Sequence, residues 1–382
     1  MQTIKPSHWS AALLALVLPV FSLGAQRQNL DVLFVAYDQG ESSAFMQLEK
    51  ALKKASINYR IITLGRAVDV FYGNSKSFSP AESRQSAFIS DRKMLLDEGE
   101  LHRVVSKFNP AIVYTGLASA AQAQLLNTFK SKGSYAIAFY DNFDPVAGKE
   151  YVIPFLNEVS EIDEYHVPSQ ATADSFKDQP QLHGTPIKVT GQPALEAWDE
   201  VYRSTDSEKL RSTLKLPSSR QVVLFAGGYD SSYEEYFHVF IESTRQMPNV
   251  SFLVTYHPKT SGKLERRIIE KYALDNVRLV NTKDYSSQSL SKIASAVVVH
   301  KSSLGTQALY KNKPVLYVAE QSFENFLIQK KLARLASTPK TVRQALLEAL
   351  KTDTPQHSLN ELGTPSHPTD QIINQLKRLL RH

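Results

Sequence analysis

Short apolar runs of strand length recur along the whole chain, and helix-length segments separate them. A continuous apolar run of this kind is typical of a parallel strand buried on both faces, because helices then cover both sides of the sheet. The runs predict strands at 31–37, 59–64, 111–114, 135–140, 165–168 and 187–190, and again at 222–226, 251–255, 277–280, 296–299 and 315–318. Strands that alternate with helices predict a doubly wound α/β architecture.

The pattern stops and then restarts near the middle of the chain. A polar, helical connection at 196–217 separates the two series of strands. We therefore predict two Rossmann-like, doubly wound domains that face a cleft. The predicted domains are 26–195 and 196–367, and an amphipathic helix at 368–382 is expected to return toward the first domain. Within the first βαβ unit, Ser42 is the predicted N-cap of a helix.

Composition excludes several chemistries. The chain has 382 residues and no cysteine, which rules out disulfides, cysteine-ligated zinc, iron–sulfur clusters and a thiol nucleophile. The ten histidines show no metal-ligand spacing, so we expect no metal and no other cofactor. A net charge of +6 without a basic run gives no reason to expect nucleic-acid binding.

Residues 1–25 have the pattern of a secretory signal peptide. Lys5 precedes an apolar run at 11–21, and small residues lead to a cleavage site after Ala25. An uncleaved anchor and a buried helix are the alternatives. The run is short for a bilayer, which needs about 20 residues. The sequence thus predicts export to the periplasm or the medium, with membrane attachment only if this segment is retained.

Four motifs follow successive strands of the second half in a fixed order. A glycine pair follows the first strand, a His-Pro-Lys the second, a Thr-Lys-Asp the third, and a His-Lys-Ser-Ser-Leu-Gly the fourth. Residues 190–193 read Thr-Gly-Gln-Pro. This set resembles the GT-B fold of glycosyltransferases and UDP-N-acetylglucosamine 2-epimerases. Locally it is most similar to bacterial capsule-polysaccharide, CDP-glycerol and sialyl transferases.

The resemblance implies a nucleotide-sugar site in the second half. The matching His-Pro and Ser-Ser positions of those transferases bind nucleotide phosphates, which implies that role for His257, Ser302 and Ser303. The family's ribose-binding glutamate is missing, and Gln307 stands nearby with only neutral hydrogen bonds to offer. The residues predicted to bind the donor are Gly227, Gly228, His257, Lys259, Lys283, His300, Ser302, Ser303, Gly305 and Gln307.

Each of these positions also has a structural interpretation. The serine pair can be a helix N-cap, the glycine pair a plain βα turn, and His257 a surface loop residue. His300 can be a hydrogen-bonded residue at a strand end. Three tyrosines after the glycine pair can stack on a base or sugar, or pack on a helix surface; they are Tyr229, Tyr233 and Tyr236.

Carboxylates at strand ends of the first half are the acid/base candidates. Asp38, Glu41 and Asp141 would lie at the carboxyl edge of the sheet, where one of them can deprotonate an acceptor hydroxyl. Asp144 is a further candidate, although residues 141–144 also have the composition of an Asx turn. The acidic triplet at 97–99 matches a sialyltransferase motif but favours a charged turn.

Two function classes follow. The first is an exported GT-B-like glycosyltransferase that moves a sugar from a nucleotide-activated donor to a glycan or surface acceptor. The second is an exported, non-catalytic binding protein whose two lobes close around a small ligand or glycan. In both, the ligand lies in the cleft between the domains.

Overall fold

The protein is described here by a computed structural model. It describes residues 27–381 apart from 178, 180, 181, 183, 258 and 352–356. The predicted signal segment at 1–25 and Pro258 of the His-Pro motif lie outside the described residues. No helix in the described part of the chain is both long and apolar enough to cross a bilayer.

The first half contains a seven-stranded parallel sheet with the order β3-β2-β1-β4-β5-β6-β7. Its strands are β1 (Gln28–Ala36), β2 (Tyr59–Thr63), β3 (Ser77–Phe78), β4 (Phe108–Gly116), β5 (Tyr135–Phe139), β6 (Glu164–Val167) and β7 (Ile187–Val189). The helices between them are α1 (Gln39–Lys54), α2 (Ala67–Val70), α3 (Ser86–Ser90), α4 (Glu98–Lys107), α5 (Ala120–Lys130), α6 (Ile153–Glu158) and α7 (Gln170–Lys177).

The second half contains a six-stranded parallel sheet with the order β10-β9-β8-β11-β12-β13. Two connecting helices, α8 (Ala197–Ser204) and α9 (Ser207–Thr213), lead into β8 (Gln221–Ala226), β9 (Val250–Thr255), β10 (Val277–Leu279), β11 (Ala296–Val299), β12 (Val315–Val318) and β13 (Arg334–Ala336). The remaining helices are α10 (Tyr233–Thr244), α11 (Lys263–Tyr272), α12 (Ser287–Ile293), α13 (Leu304–Tyr310), α14 (Phe326–Gln329), α15 (Pro339–Ala349) and α16 (Pro368–Leu379).

The two doubly wound sheets confirm the predicted α/β class. All eleven predicted strands are present, although some of their ends differ. Two strands were not predicted: β3, which is Ser-Phe, and β13, which is Arg-Leu-Ala. Neither contains a run of large apolar residues. The helix α16 packs against α1 in the first half and buries Ile372, Ile373 and Leu376 there.

The predicted cap of the first helix is wrong. The helix α1 begins at Gln39, and its N-cap is Asp38, which forms a capping box with Glu41. Ser42 is fully buried inside the helix and donates a 2.6 Å hydrogen bond to the Asp38 carbonyl. A carboxylate next to the strand end thus begins the helix one turn earlier, and this brings Glu41 to the sheet edge.

Candidate functional site

A pocket of about 400 Å³ lies between the carboxyl edge of the first sheet and the second half. Parallel strands bring their carboxyl ends to one edge, so loops from distant parts of the sequence meet there. Predicted site residues of both halves line the pocket: Asp38, Glu41 and Asp141 from the first, and Ser303 and Gln307 from the second. Two of the predicted donor-binding residues thus meet the acid/base candidates in this pocket. The other eight do not line it: Gly227, Gly228, His257, Lys259, Lys283, His300, Ser302 and Gly305.

Asp38 is held by protein groups. Its carboxylate accepts from the Gln39 N–H and pairs with Arg92 at 2.5 Å. Burial alone would raise the pKa of Asp38, but the hydrogen bond and charge of Arg92 outweigh it and hold this pKa below its usual value. Asp38 thus caps α1 and forms an ion pair with Arg92.

Glu41 is a buried carboxyl group, 2% exposed. Its Oε1 accepts from the Asp38 N–H at 3.0 Å and from Gln122 Nε2 at 2.7 Å. A Cβ on Gly116 would lie 1.5 Å from Oε2, so only glycine leaves room for this side chain. Burial, and after it the charge of Asp141, raises the pKa of Glu41 to about 8. Glu41 is therefore mostly protonated at neutral pH.

Asp141 lies two residues after the end of β5, and its carboxylate lies next to α1. A Cβ on Gly40 would lie 1.7 Å from Asp141 Oδ2, which places this carboxylate against the first turn of α1. Burial first, and then the charge of Asp38, raises the pKa of Asp141 to about 6. Asp141 is thus ionised at neutral pH but more basic than an ordinary aspartate.

The segment after Asp141 forms the predicted Asx-type contact, in which Asn142 Oδ1 accepts from the Asp144 N–H at 3.0 Å. Asp144 is paired with Lys149 at 2.6 Å. The triplet at 97–99 is also local structure, because Asp97 caps α4 through the Glu100 N–H. Asp141 is therefore a better candidate for acid/base catalysis than Asp144 or the carboxylates at 97–99.

The glycine pair of the second half permits close packing at the end of β8. A Cβ on Gly227 would lie 2.8 Å from the Thr255 carbonyl oxygen, and one on Gly228 would lie 2.9 Å from His300 Cδ2. Tyr233, behind the pair, donates a 2.8 Å hydrogen bond to the buried carboxylate of Glu265. The two glycines thus allow the end of β8 to pack closely against neighbouring parts of the second half.

His300 is 2% exposed, and both ring nitrogens face protein acceptors. Nδ1 lies 2.7 Å from the Val318 carbonyl oxygen, and Nε2 lies 3.1 Å from both Asp230 oxygens. Burial raises the pKa of Asp230, but the hydrogen bonds from His300 and Ser232 outweigh it and lower this pKa overall. These contacts match the structural interpretation of His300 as a hydrogen-bonded strand-end residue.

His257, Lys259 and Tyr229 form an exposed cluster. The His257 ring centroid lies 4.3 Å from that of Tyr229, and Lys259 Nζ lies 4.5 Å from the tyrosine centroid. Partial burial, followed by the charge of Lys259, lowers the pKa of His257. Tyr229 is 57% exposed, whereas Tyr233 is buried and Tyr236 stacks on His300 at 5.8 Å. Of the three tyrosines, Tyr229 is thus the one available for a ligand.

The serine motif lies at the start of α13. Ser302 Oγ accepts from the Leu304 N–H at 3.2 Å, and Ser303 is the N-cap residue without a side-chain cap bond. A Cβ on Gly305 would lie 2.3 Å from Tyr317 Oη, so this glycine serves packing. Lys283 is exposed on the loop after β10 and does not line the pocket between the halves.

Sequence analysis missed Arg92, Thr306 and Tyr151, all of which line the pocket. Arg92 lies in a long polar stretch between β2 and β4 with no pattern that marks it. Tyr151 lies beyond the Asx turn. In the described part of the chain, no group of three or more His, Cys, Asp or Glu residues could hold a metal ion.

The family profile described as "Capsule polysaccharide biosynthesis protein" matches residues 192–355. Solved structures match nearly the whole chain. The UDP-GlcNAc 2-epimerase of Neisseria meningitidis bound to UDP-GlcNAc is 13% identical, with TM-score 0.65, over 93% of this chain and 100% of that one. The S. aureus MnaA–UDP structure is 13% identical, with TM-score 0.64, over 92% and 97%.

The chain has a GT-B fold. The wall teichoic acid polymerase TagF, in a structure soaked with CDPG, is also similar, with 13% identity and TM-score 0.53 over 92% of this chain and 88% of that one. No curated protein sequence matches. The GT-B resemblance drawn from the ordered motifs is thus confirmed.

Proposed function

We propose that the protein transfers a sugar from a nucleotide-activated donor to a hydroxyl group of a glycan or surface acceptor. The observation that carries this proposal is Asp141, a carboxylate of raised pKa in the same pocket as Ser303 and Gln307. The capsule-polysaccharide profile supports it, as do the nucleotide ligands named for the structural neighbours. The second half would hold the donor and the first half the acceptor.

Asp141 would be the general base. It takes the proton of the acceptor hydroxyl, whose oxygen forms a bond to the anomeric carbon of the donor. The bond from that carbon to the phosphate oxygen breaks, and its electron pair leaves with the nucleotide. A base whose pKa lies just below the working pH suits this step, because it is ionised and still binds a proton well.

The second half would bind the leaving phosphate. Lys259 supplies a positive charge, His257 a ring nitrogen, and Ser302 and Ser303 hydroxyl donors. Gln307 would hydrogen-bond a ribose or sugar hydroxyl from the same pocket wall. This arrangement would need no metal or other cofactor.

Export by residues 1–25 remains our proposal, and it bears on substrate supply because nucleotide sugars are made in the cytosol. A retained anchor that leaves the folded chain in the cytosol would remove that difficulty. Fractionation of cells that express the full chain with a C-terminal tag tests this. Recovery in the periplasm or medium supports export, and recovery with cytoplasmic membranes supports the anchor.

The function is tested first by binding. Thermal unfolding of the protein is followed with CMP, CDP, UDP, GDP and their sugar conjugates. A ligand at 100 times its dissociation constant stabilises the folded state by about 2.7 kcal/mol. A shift specific to one nucleotide, and lost in His257→Ala, supports the donor site. A flat response to every nucleotide would overturn it, and a shift with free glycans alone would favour the non-catalytic binding protein.

Catalysis is tested with the conjugate that binds. Asp141→Asn keeps the shape of the side chain but removes the base, so we expect transfer to fall about 100- to 10,000-fold while donor binding persists. The matched control is Asp206→Asn at the exposed N-cap of α9, where asparagine caps equally well. Full activity in Asp141→Asn would refute the assigned base.

A further inference from the structure

The residues that follow Asp141 are attached to the second half of the molecule. The Phe143 ring is 6% exposed and belongs to an apolar cluster of the second half, together with Leu195, Tyr317 and Phe326. The Phe143 backbone carbonyl is held by the Thr172 hydroxyl at 3.1 Å. A ring that leaves its own half and packs into the other acts as an anchor between them.

Asp144 provides a second attachment. Its Oδ1 accepts from the backbone N–H of Phe326 at 3.1 Å, where α14 begins. Its other oxygen pairs with Lys149 at 2.6 Å, and its carbonyl accepts from Tyr140 Oη at 2.9 Å. The carboxylate therefore satisfies a free amide at the N-terminus of a helix in the opposite half.

The loop that receives both attachments leads to the serine motif. Glu320, two residues after β12, pairs with Lys301 at 2.6 Å, and Lys301 immediately precedes Ser302. Between these points, the Phe323 ring packs on Tyr317 at 5.6 Å. Residues 320–326 thus connect the loop of Ser302 and Ser303 to the segment of Asp141 by direct contacts.

Asp141 itself is held close to α1. Gln192 Nε2 donates a 2.7 Å hydrogen bond to the Asp141 carbonyl oxygen, and the carboxylate fills the space that Gly40 leaves. Displacement by about 1 Å can reduce a rate about 100-fold. Contacts within the first half therefore hold Asp141 on one side, and the two residues attached to the second half, Phe143 and Asp144, follow it closely in the chain.

We propose that Phe143 and Asp144 are positioning residues, which fix the Asp141 carboxylate relative to the loop after β12 and so to the serine motif. This inference rests on the proposed role of Asp141. It explains why a first-half loop places an aromatic side chain in the core of the second half.

Carboxyl titration is the first test, because it needs no substrate. The protein is labelled with carboxyl-¹³C aspartate, and the Asp141 signal is identified by its loss in Asp141→Asn. Phe143→Leu keeps an apolar side chain but shortens the anchor, and Phe240→Leu is the matched control in the fully buried core beneath α10. Asp144→Asn is a second variant that leaves the apolar core untouched.

The charged and titratable groups facing Asp141 are Asp38, Glu41, Arg92 and Tyr151. If the anchor is loosened, the carboxylate moves away from them into water, and we expect its titration midpoint to fall by at least one pH unit in Phe143→Leu and Asp144→Asn. Phe240→Leu should leave the midpoint unchanged. Unchanged Asp141 titration midpoints in both loop variants would overturn the proposal, even if the variants had lower melting temperatures.

Kinetics then separate this proposal from the function itself. With an active donor, both loop variants should lower kcat about 100-fold and change the donor KM less than threefold. A moved midpoint without transfer from any donor would leave the positioning role in place and refute the transferase. Transfer activity together with unchanged titration midpoints in the loop variants would support the transferase and overturn the positioning role.

Discussion

The carboxyl edges of the two sheets carry opposite chemistry, although both sheets consist of parallel strands wound in the same way. At the first edge, burial and neighbouring carboxylates raise the pKa values of Glu41 and Asp141. At the second edge, burial is outweighed by hydrogen bonds from His300 and Lys301, so the pKa values of Asp230 and Glu320 are lowered. One edge can accept a proton, and the other holds its carboxylates as ion pairs.

This difference supports the roles that we propose for the two edges of the cleft. The ionised Asp141 at the first edge would repel a phosphate but can activate a hydroxyl. The second edge offers Lys259 and the serine hydroxyls to an anion. The shared topology places both edges at the cleft, while the side chains at the strand ends decide which edge binds and which reacts.

The largest expected effect comes from Gly40, which touches the first edge alone. Gly40→Ala places a methyl group where Asp141 Oδ2 lies, so the carboxylate must move. We expect transfer activity to fall at least 100-fold, while the melting temperature changes by a few degrees at most because alanine favours the helix. Gly99→Ala in α4 is the control and should leave activity unchanged. An active Gly40→Ala enzyme would mean that the position of Asp141 is unimportant.

Glu41 at the first edge should make the stability of the folded protein depend on pH. Its pKa is raised to about 8, so the native state binds more protons than the unfolded state between pH 4.5 and 8, and stability falls as pH rises through that window. Glu41→Gln removes this dependence, and its stability relative to wild type should increase by about 4 kcal/mol from pH 4.5 to 8. Urea unfolding at several pH values measures it. Glu208→Gln, at an exposed site on α9, should track wild type throughout.

The pH profile of catalysis is the third test. Because the pKa of Asp141 is raised to about 6, kcat/KM should fall about tenfold per unit below pH 6 as the base becomes protonated. Glu41 is already uncharged near pH 6, so Glu41→Gln should leave this midpoint unchanged. A profile that is flat down to pH 4 would contradict the role given to Asp141.

The smallest effect is expected at the exposed cluster of the second edge. Lys259→Ala should weaken nucleotide binding about tenfold at low salt, and less at high salt, because an exposed charge is screened. The control is Lys209→Ala on α9, which is exposed and outside the pocket. Equal affinities of Lys259→Ala and wild type at low ionic strength would remove this lysine from the phosphate site.

Much of the architecture could be predicted from the sequence. Buried parallel strands must be apolar on both faces, so apolar runs such as the one in β8 can be recognised in the sequence. The order of the motifs after β8, β9, β10 and β11 indicated the GT-B fold. The edge strands β3 and β13 could not be predicted, because Ser-Phe and Arg-Leu-Ala contain no apolar run. The cap of α1 was assigned to Ser42 because serine and aspartate cap equally well in sequence.

The sequence by itself determined which strand ends lie at the cleft, since the carboxyl ends of parallel strands meet at one edge of a sheet. It did not determine what those residues do there. Asp38 is paired with Arg92, and His300 is hydrogen-bonded to Asp230. In our proposal, Asp141 depends on a loop whose Asp144 contacts Phe326, which lies 182 positions further along the chain. Such pairings depend on distances across the folded chain, and the pKa values that separate a base from a buried carboxyl group are set by burial and neighbouring charges that only the tertiary structure creates.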